Sequence, residues 1–156
     1  MATAPTAEVK QAASLLQPGR ALDLACGAGR HAIWLHENGW QVTAVDWNTE
    51  CIAQLHRDYP GIDARVADLE QDSSVIQPQA YDLVVCWLYF QRDLYPRIRA
   101  SVRPGGIAAL SVLLYGRFAA GRGELRGYFP DWTVLHESET DRVTQLVVRQ
   151  PQAVQL

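Results

Sequence analysis

Two glycines one residue apart follow a short apolar run in "ALDLACGAGRHA", residues 21–32, and a carboxylate, Asp23, stands four residues before the first of them. Gly27 and Gly29 allow a tight turn and let a ligand approach the main chain. A turn that only packs a helix on a sheet would look the same, and Gly-x-Gly alone is a weak signal. Seventeen residues after Gly29 stands Asp46, at the end of the β-branched run "WQVTAVDW". An acid there can accept hydrogen bonds from both hydroxyls of a ribose, or it can simply cap the next helix. The glycine turn and the acid together, with strand, helix and strand between them, point to an adenosine-containing ligand.

Which ligand is decided by charge. A pyrophosphate wants a free helix N-terminus and three glycine-like positions. Here the slots before the helix hold Arg30 and His31, and Asp23 would repel a pyrophosphate. The same carboxylate would attract the ammonium of an amino-acid moiety. That favours S-adenosylmethionine, which has ribose, adenine and a zwitterionic amino acid but no phosphate. Asp68 can accept from the exocyclic amine of adenine, with the Leu69 amide beside the ring, although a solvated loop Asp would look alike. Cys86 ends an apolar run where a backbone carbonyl can take the amino group.

Near the transferred group the candidates for catalysis and substrate contact are His31, Tyr89, Arg92 and Tyr115. His31 could be a base or a substrate hydrogen bonder, and a helix-start His facing solvent explains it equally well. Tyr89 and Tyr115 could wall a pocket or be ordinary boundary residues. Arg30, Arg92 and Arg117 could meet an anion, with a solvated surface Arg as the plainer alternative. His36, His56 and His136 fall away from the strand ends.

These residues are placed by an alternation of elements. The spacing predicts helices over 6–17, 29–38, 48–59 and 93–102, and strands over 21–26, 40–47, 62–68, 81–87 and 107–115. Asn48 or Thr49 can cap the third helix, and Pro96 is tolerated in a first turn. Pro104-Gly105-Gly106 reads as a turn. A short helix lies in "GRGELRGYF", and "TVLHESE" with "RVTQLVVRQ" alternates about "TDR" as an antiparallel hairpin. Such alternation means a doubly wound α/β fold with a mostly parallel sheet, and its ligands bind outside the carboxyl ends of the strands.

Composition bounds the rest. With 156 residues the chain suits one domain, and no run is long and apolar enough to span a bilayer. The start "MATAPTAEVKQ" does not read as a secretory signal, so a cytoplasmic location is expected. Three cysteines, Cys26, Cys51 and Cys86, lack metal-ligand spacing, and no metal is expected. A net charge of −3 argues against a nucleic-acid partner.

The stretches "ALDLACGAGRHA", "VTAVDWN", "ADLE", "YDLVVCWLY" and "VRPGGIAALSV" resemble the ordered motifs of class I SAM-dependent methyltransferases over roughly residues 18–150. Within them, "CGAGRH" and "GELRGYFPDWTVLHESE" are most similar to the small bacterial tellurite-resistance methyltransferase group. The resemblance implies a Rossmann-like seven-stranded sheet in the order 3-2-1-4-5-7-6, its last strand antiparallel. It implies that Asp23, Ala25, Gly27 and Gly29 hold the amino-acid part and ribose of S-adenosylmethionine. Asp46 would take the ribose hydroxyls, Trp47 would pack on adenine, Asp68 and Leu69 would read its edge, and Cys86 would supply a carbonyl. The product would be S-adenosylhomocysteine, and the acceptor a small molecule, either a soft nucleophile or an anionic compound. No Asn-Pro-Pro-Tyr or Asp-Pro-Pro-Tyr follows the fourth strand, so transfer to a planar nitrogen is not indicated.

Relatives of this type carry a longer segment after the fifth strand, whereas here only "GRFAAGR" precedes the last helix. That leaves a non-catalytic SAM-binding sensor or interaction subunit as the alternative, and a dinucleotide-binding oxidoreductase as the third reading. Residues 1–17 are expected to cover the site, 18–150 to form the domain and 151–156 a tail. Trp87, Leu88, Tyr89, Phe90, Tyr115 and Phe118 cluster near the carboxyl edge and suggest a homodimer or a bulky apolar substrate as cover.

Overall fold

The computed structural model describes residues 4–152. Its elements run α1 (Ala7–Ser14), β1 (Arg20–Leu24), α2 (Arg30–Glu37), β2 (Gln41–Asp46), α3 (Thr49–Asp58), β3 (Asp63–Val66), β4 (Tyr81–Trp87), α4 (Leu94–Ser101), β5 (Val102–Leu113), α5 (Glu124–Gly127), β6 (Thr133–Glu139) and β7 (Val143–Arg149). The seven strands form one sheet in the order β3-β2-β1-β4-β5-β7-β6. The pairs among β1 to β5 are parallel, while β7 runs antiparallel to both β5 and β6. The strand order is the one the resemblance implied.

Helices cover both faces because the strands are apolar on both sides. Val9, Ala12 and Ala13 of α1, Leu35 of α2 and Leu55 of α3 join Ala21, Val85 and Ile107 in one core layer. Leu94 and Ile98 of α4, Leu125 of α5, Phe129 and Trp132 join Leu24, Val84 and Leu110 in the other. Helix α3 starts at Asn48, whose side-chain oxygen accepts from the N–H groups of Glu50 and Cys51 at 3.0 and 3.1 Å. Pro96 lies in the first turn of α4, where a missing N–H costs no helical bond.

The predicted turn at 104–106 instead lies inside β5. Pairing with β4 steps from Tyr81↔Val102 to Leu83↔Ile107, so the Pro-Gly-Gly stretch is a bulge within a continuous strand. Gly105 takes a φ of +82° there, and its N–H donates to the Gln150 carbonyl at 3.0 Å, which keeps the segment tied to the sheet.

No helix among the described residues is long and apolar enough to cross a membrane. The expected tail begins with exposed Pro151 and Gln152, and residues 153–156, like 1–3, lie outside the described residues.

Candidate functional site

The carboxyl ends of β1 and β4 bound a crevice, and the chain leaves both strands in an unusual conformation. Ala25 and Leu88, one residue beyond β1 and β4, both take a left-handed backbone with φ of 53° and 59°. Such geometry in residues with a Cβ is strained and concentrates at functional sites.

Asp46 ties the two neighbouring turns together. Its Oδ2 accepts from the Gly27 N–H at 2.8 Å and its Oδ1 from the Asn48 N–H at 2.9 Å. The carboxylate is only 7% exposed, and each oxygen keeps a further lone pair. Gly27 and Gly29 differ in kind. Gly27 has a φ of +56° and open space where a Cβ would stand, with nothing within 4 Å. A Cβ on Gly29, at φ +91°, would lie 2.7 Å from Leu55 Cδ2. The first glycine leaves room for a ligand, whereas the second lets α2 pack on α3.

Asp23 is buried at 2% exposure, and its Oδ2 has no hydrogen-bond partner among the described residues. Burial pushes its pKa up to about 7, against the downward pulls of the Ala32 N–H and of Arg30, and with a small further rise from Asp46. A buried carboxylate oxygen without a donor is rare enough to need an explanation. A ligand ammonium would supply the missing donor. That oxygen, the open space at Gly27 and the Asp46 lone pairs fit a ligand with a ribose and an amino-acid end.

Two cavities meet beside this crevice. A nook of about 40 Å³ is lined by Ala25, Asp46, Trp47, Ala67, Asp68, Leu69 and Tyr89. A cleft of about 460 Å³ shares Trp47, Asp68 and Tyr89 with it and continues to Glu70, Leu88, Phe90, Leu113 and Phe118. Trp47 is 75% exposed and offers an indole face. Asp68 Oδ1 accepts from the Glu70 N–H at 3.0 Å, while the Leu69 carbonyl accepts from Gln91 Nε2 at 3.1 Å. The Tyr89 hydroxyl donates to Gln91 Oε1 at 2.6 Å. Burial, with Glu70 and other neighbouring anions, raises the Tyr89 pKa to about 12, so the hydroxyl keeps its proton. Cys86 is buried at the end of β4, and burial raises its thiol to about 12.

The structure therefore brings Asp46, Trp47, Asp68, Leu69, Tyr89 and Ala25 together at one place and sets Gly27 against Asp46. Of the other substrate candidates, His31 and Tyr115 line neither cavity. His31 is buried, and its Nε2 accepts from the Thr6 N–H at 3.2 Å, with Thr6 Oγ1 at 3.1 Å. Its ring stands edge-on to Trp87 at 6.0 Å. Burial, and then Arg30, lowers its pKa to about 4. A neutral ring with Nε2 so engaged fastens the N-terminal segment and is not free to act as a base.

Arg92 makes a two-pronged contact with Glu124 at 2.7 and 3.1 Å, and its guanidinium lies over the ring of Phe90, a wall of the larger cleft, at 4.8 Å. That contact, chiefly, lowers the Glu124 pKa to about 2. Tyr115 is exposed, and the Arg142 guanidinium lies over its ring at 5.1 Å. Arg117 lies over Phe118 in the same way at 5.4 Å. Trp87, expected at the exposed aromatic edge, is 9% exposed and packs into the α1–α3 face. Phe90 stacks on Tyr95 at 5.8 Å.

Sequence reading passed over Glu70, Gln91 and Leu113. Glu70 stands in the quoted "ADLE", one step beyond the residues assigned. Leu113 reads as one more buried strand residue, and only the short β5–α5 connection hints that the strand ends at a cavity. Among the described residues no cluster of three or more His, Cys, Asp or Glu could hold a metal.

Comparison with known proteins gives the lineage. The family described as tellurite resistance protein TehB matches residues 1–147. The probable S-adenosyl-L-methionine-dependent methyltransferase TehB of Haemophilus influenzae is 29% identical over 155 residues, covering 88% of this chain and 54% of that protein. Hemagglutinin 1 of Eikenella corrodens is 27% identical, covering 95% of this chain and 55% of that protein. The chain thus spans about half the length of these curated relatives. The crystal structure of TehB from Haemophilus influenzae superposes with a TM-score of 0.82 at 23% identity, over 96% of this chain and 63% of that one. A S-adenosylmethionine-dependent methyltransferase from Mesorhizobium loti superposes with a TM-score of 0.74 at 19% identity, over 93% and 98%.

Proposed function

The chain belongs to the TehB family, and from that premise we propose that it transfers a methyl group from S-adenosylmethionine to a small-molecule acceptor. The observation that carries this reading is the pairing of a donorless buried carboxylate oxygen, Asp23 Oδ2, with the open glycine turn at Gly27. The zwitterionic end of S-adenosylmethionine offers the donor that Asp23 lacks. In this reading Asp46 receives the ribose hydroxyls on its free lone pairs while its backbone contacts hold it rigid. Ala25, Gly27 and Gly29 shape the turn beneath the amino-acid end, and Cys86 offers its carbonyl there. Trp47 covers the adenine, and Asp68 and Leu69 meet its edge.

When bound, S-adenosylmethionine supplies a methyl group activated by its sulfonium. The chain's own residues then have two tasks, to hold the acceptor in line at about 3 Å and to keep water away. The related Haemophilus protein is named a probable methyltransferase of this kind, which supports the reading. A dinucleotide is disfavoured because Asp23, next to the glycine turn, would repel its pyrophosphate.

Calorimetry with S-adenosylmethionine, S-adenosylhomocysteine and NAD tests the ligand, and binding of NAD alone overturns the assignment. Turnover of labelled S-adenosylmethionine separates an enzyme from a non-catalytic binding subunit. Trp47, Leu88, Tyr115 and Phe118 are 75, 45, 50 and 68% exposed along the carboxyl edge, which supports a second copy as cover. Light scattering at micromolar concentration, with and without S-adenosylhomocysteine, reads this, and a strict monomer in both states removes it.

A further inference from the structure

The nook lies between two loops, the one after β3 that carries Asp68 and Leu69 and the one after β4 that carries Tyr89. In the sheet, β2 and β1 stand between β3 and β4. At about 4.8 Å per strand the two strands are about 14 Å apart, so no backbone ladder fixes the distance between their loops. One side chain bridges them. Gln91 Nε2 donates to the Leu69 carbonyl at 3.1 Å, across 22 residues, and Gln91 Oε1 accepts from the Tyr89 hydroxyl at 2.6 Å. No other hydrogen bond among the described residues joins residues 67–72 to 88–93.

The bridge needs an amide. The Leu69 carbonyl can only accept, so the NH2 group must face it and the amide oxygen must face Tyr89. Tyr89 must then donate, and its hydroxyl keeps the proton to do so. The loop after β4 is itself held from behind. The Tyr89 carbonyl accepts from the Tyr95 hydroxyl of α4 at 3.0 Å, and the Leu88 N–H donates to the Ser111 carbonyl of β5 at 2.8 Å. Gln91 therefore ties the loop after β3 to an anchored partner.

We propose that Gln91 is a positioning residue that sets the spacing of Leu69 and Tyr89 across the nook, and with it the fit of the adenine ring. This deepens, and rests on, the assignment of the crevice to S-adenosylmethionine. Gln91 lines neither the nook nor the larger cleft, so it acts through Leu69 and Tyr89 without touching the ligand.

Calorimetry with S-adenosylhomocysteine, run beside thermal unfolding, tests this on two variants. Gln91→Leu removes both bonds at similar size and should weaken binding by the folded protein at least tenfold. Gln91→Glu makes the bridge depend on pH. Its ionised carboxylate still accepts from Tyr89 but repels the Leu69 carbonyl. Glu70, Asp68 and Asp93 act on the Tyr89 hydroxyl beside it and add to that repulsion, while Arg92, the next residue, is turned onto Glu124. Its protonated carboxyl has one donor and one acceptor, as the amide does. Affinity relative to the unaltered protein at the same pH should therefore be at least tenfold lower at pH 8 and return to within threefold at pH 5. Taking the ratio at each pH cancels the titration of Asp23, which both proteins share. A bridge that only stabilised the fold would lower the melting temperature and leave the affinity of the folded protein alone. Unchanged affinity in folded Gln91→Leu, or a Gln91→Glu ratio that does not move with pH, overturns this inference alone. Failure of the unaltered protein to bind S-adenosylhomocysteine overturns the reading beneath it and this one together.

Discussion

The ends of β1 and β2 and the ends of β4 and β5 face the same cavities but are built in different ways. The first is a backbone construction. Gly27 N–H, Asn48 N–H and the Asp46 carboxylate form a closed set of short bonds between two adjacent strand ends. The second is a side-chain construction, in which Leu88, Leu113 and Phe118 reach the cleft from loops and strand tips. Backbone cradles suit a ligand part that is common to many proteins, because glycines and one acid suffice. Side-chain walls suit the part that differs, because each residue can change without disturbing the turn.

The largest effects should come from the two glycines, which separate packing from binding within one turn. Gly29→Val forces a Cβ onto Leu55 at an unfavourable φ and should cost about 2–5 kcal/mol of stability. Thermal unfolding reads this, and an unchanged melting temperature removes the packing role. Gly27→Val meets no atom within 4 Å, so it should cost only the strain of its φ, about 1–2 kcal/mol. It should nevertheless weaken S-adenosylhomocysteine binding at least a hundredfold, about 3 kcal/mol. A Gly27→Val protein that folds and binds normally would make the whole turn a packing device.

Next comes Asp46→Ala, which deletes a contact made by both carboxylate oxygens and should weaken the cofactor by about 1.5–3 kcal/mol. Calorimetry on the folded variant checks it, and full affinity would remove the ribose assignment.

Asp23 gives a pH signature of intermediate size. Its folded pKa of about 7 lies above the ordinary carboxylate value, so the folded state holds the proton more tightly than the unfolded state does. Its contribution to stability is therefore fully present below about pH 4 and is lost as pH rises toward 7. Asp23→Asn should flatten that decline in chemical denaturation measured from pH 5 to 8. If the ammonium of the ligand meets the ionised carboxylate, binding near pH 6 should also release a proton. Calorimetry in buffers of different ionisation enthalpy detects that release, and its absence would count against the contact.

The smallest effects sharpen the contrast between exposed residues that face the cavities and those that do not. Trp47→Ala should weaken S-adenosylhomocysteine by about 1 kcal/mol through lost ring contact, with little change in stability, since the side chain is 75% exposed. Arg92→Ala should leave cofactor affinity unchanged and stability little altered, because the Arg92 side chain is 64% exposed and its ion pair is screened by solvent. Cofactor loss in Arg92→Ala would reverse the contrast.

Much of the cradle was legible because its signals are local. Asn48 was readable as a cap and Asp46 as a strand-end acid because their partners lie within a few residues or on the adjacent strand. β4 and β6 match their predicted ranges residue for residue, since an apolar run and a strict alternation mark their own ends. The Pro-Gly-Gly stretch was misread because proline and glycine signal a break in the strand, while cross-strand pairing on both sides turns the same residues into a bulge. His31, Arg92 and Tyr115 were drawn to the site by residue type and by nearness to a strand end. Nearness in sequence does not say which neighbour a long side chain will meet.

From sequence alone, then, come the alternation that demands a two-faced sheet, the glycine turn, and the acids at the ends of β1, β2 and β3. Each depends on backbone preferences that act over a few residues. Tertiary structure decided what those residues do for one another. It placed Thr6 on His31 across 25 residues, and Arg92 on Glu124 across 32. It buried Trp87 while leaving Trp47 in the open, although each stands at or one step beyond the end of its strand. The physical reason is that burial and pairing are properties of packed layers. A side chain at a strand end turns toward whichever helix, loop or cavity lies over it, and only the assembled sheet determines which that is.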